Sequence, residues 1–355
     1  MIADNRLSET STWDDKLLAQ QLNELSVLNL DFNLEDIGFE MAEIDLKIEG
    51  LNDRQDDADD PADVIPEPSS KGPISKPGDL WLLGRHRILC GNSLEPESYA
   101  ALMQGERAAI VFTDPPYNVA IDGHASGLGA TRHGDFVMAS GEMSSTEFAE
   151  FLTRACTLLA SNSVDGAVHY ICMDWRHLGE LHAAGAKAYT ELKNVCVWVK
   201  HNAGMGSFYR SQHELIFVFK SGRASHRNNV QLGRFGRNRT NVWNYRGTSS
   251  VVQATDEGNL LKLHPTVKPV ALVADALLDC SKRGDVVLDA FLGSGSTVIA
   301  AERVGRRCYG IELDPHYVDT IVRRWQAFSG DCARRDASNR SFNEIEEEME
   351  TANVH

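Results

Sequence analysis

VVLDAFLGSGSTVIAAERVGRRCYGIELD, residues 286–314, is the stretch on which the reading of this chain turns. An apolar run, Val286–Asp289, ends in an acid. A glycine-bearing turn follows (Phe291-Leu292-Gly293-Ser294-Gly295), then a segment of helical character, Ser296–Val304. A second apolar run, Cys308–Glu312, again ends in an acid, 23 residues after Asp289. Glycines let a backbone approach a bound ligand, and an acid closing the next strand suits the two hydroxyls of a ribose. Only two of the three glycines of the dinucleotide pattern are present, and no lysine follows as in a phosphate loop. That favours an adenosine ligand without a pyrophosphate. A plain strand–turn–helix stays open beside it, because glycine turns are common in such folds.

The same rhythm extends in both directions. Apolar runs predict strands at Arg87–Cys90, Ala109–Thr113, Gly166–Cys172, Val195–Val199, Leu215–Lys220, Val286–Asp289 and Cys308–Glu312. Helices are predicted at Ser145–Ala160, Pro269–Cys280, Ser296–Val304 and Pro315–Phe328, the last with Val318, Ile321, Val322 and Trp325 as a core stripe. Apolar strands alternating with amphipathic helices imply an α/β fold with a doubly wound, mostly parallel sheet.

Residues 113–118 read TDPPYN, directly after the apolar run 109–112. Neither proline can donate to a sheet ladder, so the strand must stop there. By itself the tetrapeptide Asp114-Pro115-Pro116-Tyr117 reads equally as a turn. Its place gives it more meaning, since ligands of open α/β sheets bind beyond the carboxyl ends of the strands. Asp114, Phe291–Gly295, Glu312 and Gly91-Asn92-Ser93 all stand at such ends, and there they can converge.

The chain of 355 residues has a formal net charge of −16, but the charge is unevenly spread. Residues 1–78 carry 19 acids and 6 bases, residues 331–355 carry 7 acids and 3 bases, and the remainder is nearly neutral. Between Leu215 and Thr255 there is no Asp or Glu, while Lys220, Arg223, Arg227, Arg234, Arg237, Arg239 and Arg246 are basic. A cationic stripe of this kind suits a polyanion. No run approaches the roughly 20 apolar residues of a membrane span. The opening MIADNRLSETSTWDD has neither the basic nor the apolar part of a signal peptide. The seven cysteines are scattered and form no CxxC pair, so they read as reduced core thiols with no metal site. Together these predict a cytoplasmic protein.

Four segments follow along the chain. Residues 1–51 are expected to form short helices around Leu17, Leu18, Leu22 and Leu25. Residues 52–78, rich in Asp and Pro, are expected to be a linker that buries too little surface to order itself. Residues 79–330 form the main domain. Residues 331–355, with EIEEEME, are expected to be an acidic tail, either a solvated helix or disordered.

CGNS at 90–93, DPPY at 114–117, HPTVKP at 264–269, FLGSG at 291–295 and IELD at 311–314 occur together in an order that resembles the β-type amino-methyltransferases of DNA. In that permuted order DPPY precedes the FxGxG loop. HYICMDWRH, VWVKHNAGMGSFYRSQHELIFVFKSG and VWNYRG are similar to a bacterial and phage subfamily often fused to a ParB-like domain. IADNRLSETSTWDDKLLAQQL resembles the end of that domain. The nucleotide and active-site motifs of ParB are not in this sequence, so no ParB activity is expected.

The resemblance implies a Rossmann-like fold that binds S-adenosylmethionine and acts on double-stranded DNA. Asn92, Asp114, Asp289, Phe291, Gly293, Ser294, Gly295 and Glu312 would hold the cofactor, with His264, Thr266 and Lys268 at its methionine end. Asp114, Pro115, Pro116 and Tyr117 would be catalytic. The exocyclic amine of adenine is a poor nucleophile because its lone pair is delocalised into the ring. A carboxylate and the Pro115 carbonyl that accept both of its N–H bonds draw the nitrogen toward tetrahedral geometry. Tyr117 would stack on the flipped-out base.

The long span 118–141 would close over the site, with His124, Arg132 and His133 near DNA or simply solvated. A target-recognition segment is expected at about 220–263. Arg210, Gln212, Arg223, Arg227, Arg234, Arg237 and Arg239 are its DNA-contact candidates, and a plain basic loop is the alternative. Asn228, Asn229, Asn238 and Asn241 suit adenine, whereas Trp243 and Tyr245 are expected to pack. Dimers are common among such relatives, so a homodimer is possible in kind.

The expected reaction is methylation of adenine N6. Cytosine-N4 methylation, a non-catalytic DNA-binding accessory and a nicotinamide oxidoreductase stand as alternatives.

Overall fold

The seven apolar runs predicted as strands all join one sheet, five of them within two residues of the expected limits and those at 166 and 195 beginning three and four residues earlier. The computed structural model describes residues 14–28, 32, 34–51, 60–66, 72–118, 141–204, 208–234, 236–247 and 267–352. These fall into two units. A helical unit comprises Met1–Ala58 with Asn229–Arg239, and a sheet unit comprises Asp59–Asn228 with Thr240–His355.

In the helical unit, α1 (Asp15–Val27) begins at Asp14, whose carboxylate accepts the N–H groups of Lys16 and Leu17. A 3-10 turn at Leu34–Ile37 leads toward α2 (Met41–Glu49). Leu18, Leu22, Leu34, Ile44 and Ile48 form a small core. Leu17, expected among the apolar cluster, is exposed. It sits one step off the row of Leu18 and Leu22, which are four apart and share a face.

Asn229–Arg239 belongs to this unit although the sequence places it inside the expected recognition segment. Gly236 lies close to α2, where an added Cβ would come within 2.7 Å of Leu46.

In the sheet unit, strands β1 (Leu80–Leu83), β2 (His86–Cys90), β3 (Ala108–Thr113), β4 (Ser163–Met173) and β5 (Glu191–Val199) are followed by β6 (His213–Lys220), β7 (Val242–Asn244), β8 (Val286–Asp289), β9 (Arg307–Glu312) and β10 (Arg334–Arg335). Their order across the sheet is β10-β1-β2-β9-β8-β3-β4-β6-β5-β7. The central run from β2 to β4 is parallel, while β1, β6 and β10 run antiparallel to their neighbours. The chain leaves β8 toward β9 on one side, and β3 lies on the other. The strand order therefore reverses between β8 and β3, the place where such sheets form a crevice.

Helices α3 (Pro96–Met103), α4 (Ser145–Ser161) and α5 (Leu178–Ala188) cover one face. On the opposite face lie α6 (Val270–Cys280), α7 (Ser296–Arg303) and α8 (Pro315–Ser329). Successive strand residues alternate between the layers. Leu89, Val111, Leu288 and Ile311 pack with α3 and α4, whereas Ile88, Ile110, Val287 and Cys308 pack with α6, α7 and α8. Ser144 and Glu147 close a capping box on α4, and Asp314 caps α8 ahead of Pro315. Val318, Ile321, Val322 and Trp325 are buried, as their spacing predicts.

Two expectations need correction. In the stretch 52–78, the described residues 60–66 and 72–78 are tied down. The Asp60 carboxylate takes both terminal nitrogens of Arg303, at 2.6 and 2.7 Å. Asp63 accepts the Val270 N–H at 2.8 Å, and Asp319 accepts the N–H groups of Ile74 and Ser75 at 2.7 and 3.0 Å. Ala62 and Ile74 are buried while Val64 is exposed, so polar anchoring does what hydrophobic content could not.

The acidic tail is likewise structural. β10 extends the sheet beside β1, and α9 (Phe342–Ala352) follows it. α9 buries Phe342 edge-on against Trp81, with ring centroids 5.2 Å apart. Six of the cysteines are buried as expected, and Cys332 is exposed.

Candidate active site

The four predicted strand ends are neighbours. Gly91 donates its N–H to the Glu312 carbonyl at 2.9 Å, joining the end of β2 to that of β9. Gly293, in the turn after β8, donates to the Glu312 carboxylate at 2.8 Å. Thr113, the last residue of β3, donates its hydroxyl to Asp289 at 2.7 Å, so the DPPY and FLGSG segments stand side by side.

The turn after β8 is built for close approach. Gly293 and Gly295 have φ of 52° and 83°, and a Cβ at Gly295 would meet Ile321 at 2.9 Å. Asp289 accepts from Thr113 and Phe291 N on one oxygen and from Thr297 on the other. Burial lifts its carboxyl to about 6 despite these donors. Expected at the cofactor, Asp289 is buried, and its three donors within the chain shape the turn. Ser294 is buried too, and its carbonyl accepts Arg324 at 3.0 Å. Arg324 also donates to the Ala62 carbonyl at 2.7 Å, and burial brings it down to about 10. Nothing in the sequence marks Arg324, which sits on an otherwise ordinary amphipathic helix.

Glu312 has one oxygen on Gly293 N and the other on Asp314 N, at 2.8 and 2.9 Å. Each oxygen keeps a lone pair for a further donor. Burial raises this carboxyl to about 7. Phe291 is half-buried against Phe151, with centroids 5.9 Å apart. Asn92 turns back on its own loop, with its oxygen on Leu94 N and its amide on Glu95.

At the end of β3 a charged cluster surrounds Asp114. Its Oδ2 lies 2.5 Å from Lys268 Nζ, and its Oδ1 accepts the Tyr117 hydroxyl at 2.5 Å. Lys268 is also 3.0 Å from Glu214 Oε2, and Glu214 in turn pairs with Lys200. Tyr117 reaches Glu214 at 3.2 Å as well. Glu214 opens β6, which runs antiparallel to β4, so its amino end lies at the same edge as the carboxyl end of β3.

The titrations follow from this packing. Burial pushes Asp114 up, with Lys268 opposing and Glu214 reinforcing the rise. Burial would also raise Glu214, but the ammonium groups of Lys268 and Lys200 reverse the sign and bring it to about 2. Lys268, buried between two carboxylates, is raised above the usual range. Burial likewise raises Tyr117 well above a free phenol, and Asp114 and Glu214 add to it.

Sequence reasoning found Asp114, Tyr117 and Lys268 but missed Glu214 and Lys200. The available signal was Glu214 itself, the lone acid at the head of the apolar strand HELIFVFK. Lys268, expected at the methionine end of a cofactor, gains here two carboxylate partners that the resemblance did not imply. His264 and Thr266 lie outside the described residues, as do His124, Arg132 and His133.

The DNA-contact candidates scatter. Arg210, Gln212, Arg223 and Arg234 are exposed, while Arg227 and Arg239 are half-buried. Arg210 donates to the carbonyls of Ala203 and Gly204, and Gln212 to that of Lys200, which shapes the β5–β6 hairpin. Arg237 needs correcting: it is 7% exposed with its guanidinium 3.6 Å from Glu49, so it is not presented to a phosphate. Asn229 is buried, and Trp243 packs as expected. Sequence reading passed over Phe208, 85% exposed, which packs on Tyr209, 83% exposed, in the same hairpin.

Type II methyltransferase M2.DpnII of Streptococcus pneumoniae is 27% identical over 244 residues, covering 64% of this chain and 86% of that protein. Type II methyltransferase M2.MboI of Moraxella bovis is 25% identical over 252 residues, covering 67% and 86%. Among solved structures, TTHA0409 of Thermus thermophilus complexed with S-adenosyl-L-methionine aligns with a TM-score of 0.46 at 22% identity, over 68% of this chain and 93% of that one. A ParB-methyltransferase HTH domain matches residues 16–77, running through the stretch first read as linker. The DNA methylase family matches residues 108–323, more than half of the chain. The chain belongs to that family and is an S-adenosylmethionine-dependent DNA methyltransferase.

Proposed function

We propose that this enzyme methylates the N6 amine of an adenine flipped out of double-stranded DNA at a specific sequence. The observation that carries this reading is the position of Asp114. It is a half-buried acid at the end of β3, joined through Thr113 and Asp289 to the glycine turn after β8. An acid at the head of DPPY, where relatives also use serine, favours adenine over cytosine.

The residues present fit the cofactor. Glu312 keeps free lone pairs for two hydroxyls, the turn beside it has glycines where side chains would intrude, and Phe291 supplies an apolar wall. When bound, S-adenosylmethionine supplies an electrophilic methyl group on sulfur. Glu312, Phe291, Gly293 and Gly295 would hold it, with Asn92 shaping the adjoining loop.

The protein's own part is to prepare the amine. Asp114 and the Pro115 carbonyl accept its two N–H bonds, which frees the nitrogen lone pair toward the cofactor side. Pro115 and Pro116 fix φ and bring no competing donor, so the carbonyl is pre-aimed. Asp114 is also the nearest acceptor for the proton that the methylated nitrogen must lose. Flipping a base costs a few kcal/mol, and stacking on an aromatic ring such as Tyr117 returns ~1–3 kcal/mol.

Labelled cofactor and unmethylated bacterial DNA, followed by digestion to nucleosides and mass spectrometry, test the assignment. Labelled N6-methyladenine is expected. Labelled N4-methylcytosine would keep the amine chemistry and overturn the choice of base.

A further inference from the structure

Both oxygens of Asp114 already have partners within the chain, Lys268 on Oδ2 at 2.5 Å and Tyr117 on Oδ1 at 2.5 Å. An amine that donates to Asp114 must take the place of one of them. We propose that Lys268 holds the position of the target amine and that Glu214 is the carboxylate that receives its ammonium when the base enters. Glu214 is then a positioning residue for the reaction, an inference that rests on the amine-methylation reading above.

Three features select Lys268 as the partner that leaves. Its ammonium is itself a nitrogen donor, so its site on Oδ2 is geometrically fit for an N–H of the base. It already lies 3.0 Å from Glu214 Oε2, so it can leave Asp114 without losing a carboxylate. Its long side chain can turn between the two carboxylates while Asp63 anchors the chain two residues on, at the Val270 N–H, 2.8 Å away. Without Glu214 the ammonium leaving Asp114 would lose both of its carboxylate partners in a buried site, which is strongly unfavourable.

The charges of the cluster support the exchange. Asp114 and Glu214 face Lys268 and Lys200, two against two. A neutral amine therefore adds a donor and no net charge. Glu214, held ionised by the two ammonium groups around it, is ready to receive the second one fully. Tyr117 reaches both carboxylates, at 2.5 and 3.2 Å, and keeps their spacing as Lys268 moves.

The test is a double-mutant cycle on the full chain, with labelled methyl transfer to unmethylated bacterial DNA as the rate. Cofactor binding and thermal melting are followed alongside. Glu214→Gln takes away the carboxylate that would receive Lys268, so kcat should fall about tenfold or more while cofactor affinity and the KM for DNA change little. Adding Lys268→Gln removes the trapped ammonium and restores charge balance, so the double variant should recover several-fold over Glu214→Gln. Recovery of kcat at unchanged melting temperature and cofactor affinity separates the exchange from relief of a structural ion pair, whose recovery would follow stability.

Glu214→Asp, which keeps the charge but withdraws the carboxylate, should show the same selective loss of kcat and serves if Glu214→Gln does not fold. Near wild-type kcat in Glu214→Gln or Glu214→Asp, or losses that multiply in the double variant, would overturn the exchange. Absence of transfer by the wild type would instead sink the methylation reading beneath it.

Discussion

Thr113 Oγ1 lies 2.7 Å from Asp289 Oδ1, and this one bond joins the strand that ends in DPPY to the strand that ends in the glycine turn. The two residues close β3 and β8, neighbours at the point where the strand order reverses. The glycine turn and DPPY are thereby placed at a common edge by sheet pairing and by this bond.

Cofactor affinity should depend on pH through Glu312. Its carboxyl is raised to about 7, so burial disfavours the ionised form that a ribose diol needs. The folded chain holds this proton more tightly than the unfolded one. The group's contribution to stability is therefore fully present below the ordinary carboxylate range and is lost as pH rises through about 7. Cofactor binding runs the other way. Affinity measured by calorimetry should weaken about tenfold from pH 8 to pH 6, and Glu312→Gln should weaken binding at pH 8 and flatten the dependence. Equal affinity at both pH values would remove Glu312 from the ribose.

Asp319 should matter for stability well beyond its helix. It is buried and holds the N–H groups of Ile74 and Ser75 at 2.7 and 3.0 Å. Asp319→Ala leaves two buried donors without acceptors, which costs about 2–6 kcal/mol at ~1–3 kcal/mol for each donor left unsatisfied. Urea unfolding with an unchanged midpoint would show that the stretch before β1 is not anchored as described.

Phe208 and Tyr209 should serve DNA rather than the fold. They sit in the hairpin between β5 and β6, which joins the sheet at the edge that carries Asp114, and both are largely exposed. Replacing both with Ala should weaken DNA binding by ~1–3 kcal/mol for each base that stacks on them, with melting temperature and cofactor affinity unchanged. A loss of stability instead would return these rings to a packing role.

The central strands were legible because each is a buried apolar run ending in a turn residue or an acid. β7 and β10 were not, since strands of two or three residues carry no period to read, and β1 was missed although it is as long as β8. The tail misled for a different reason. EIEEEME is solvated on most of its surface, yet Phe342 and Ile345 are buried and Arg323 pairs with Glu346, which docks it. At the site, Asp114, Glu312 and the glycine turn were readable because strand ends and glycines announce themselves. Glu214, Lys200 and Arg324 were not, because their meaning lies in partners distant in sequence. Arg237 shows the converse: a basic stripe in sequence is no guide to which guanidinium already has an acid beside it.

The most direct test of the account is methyl transfer from labelled S-adenosylmethionine to unmethylated bacterial DNA by wild type and by Asp114→Ala, with cofactor binding measured for both. The account predicts label in DNA from the wild type, a loss of ~10³-fold or more in Asp114→Ala, and cofactor binding retained by both. Wild-type transfer that survives the loss of Asp114 would contradict the assignment of the amine to the end of β3.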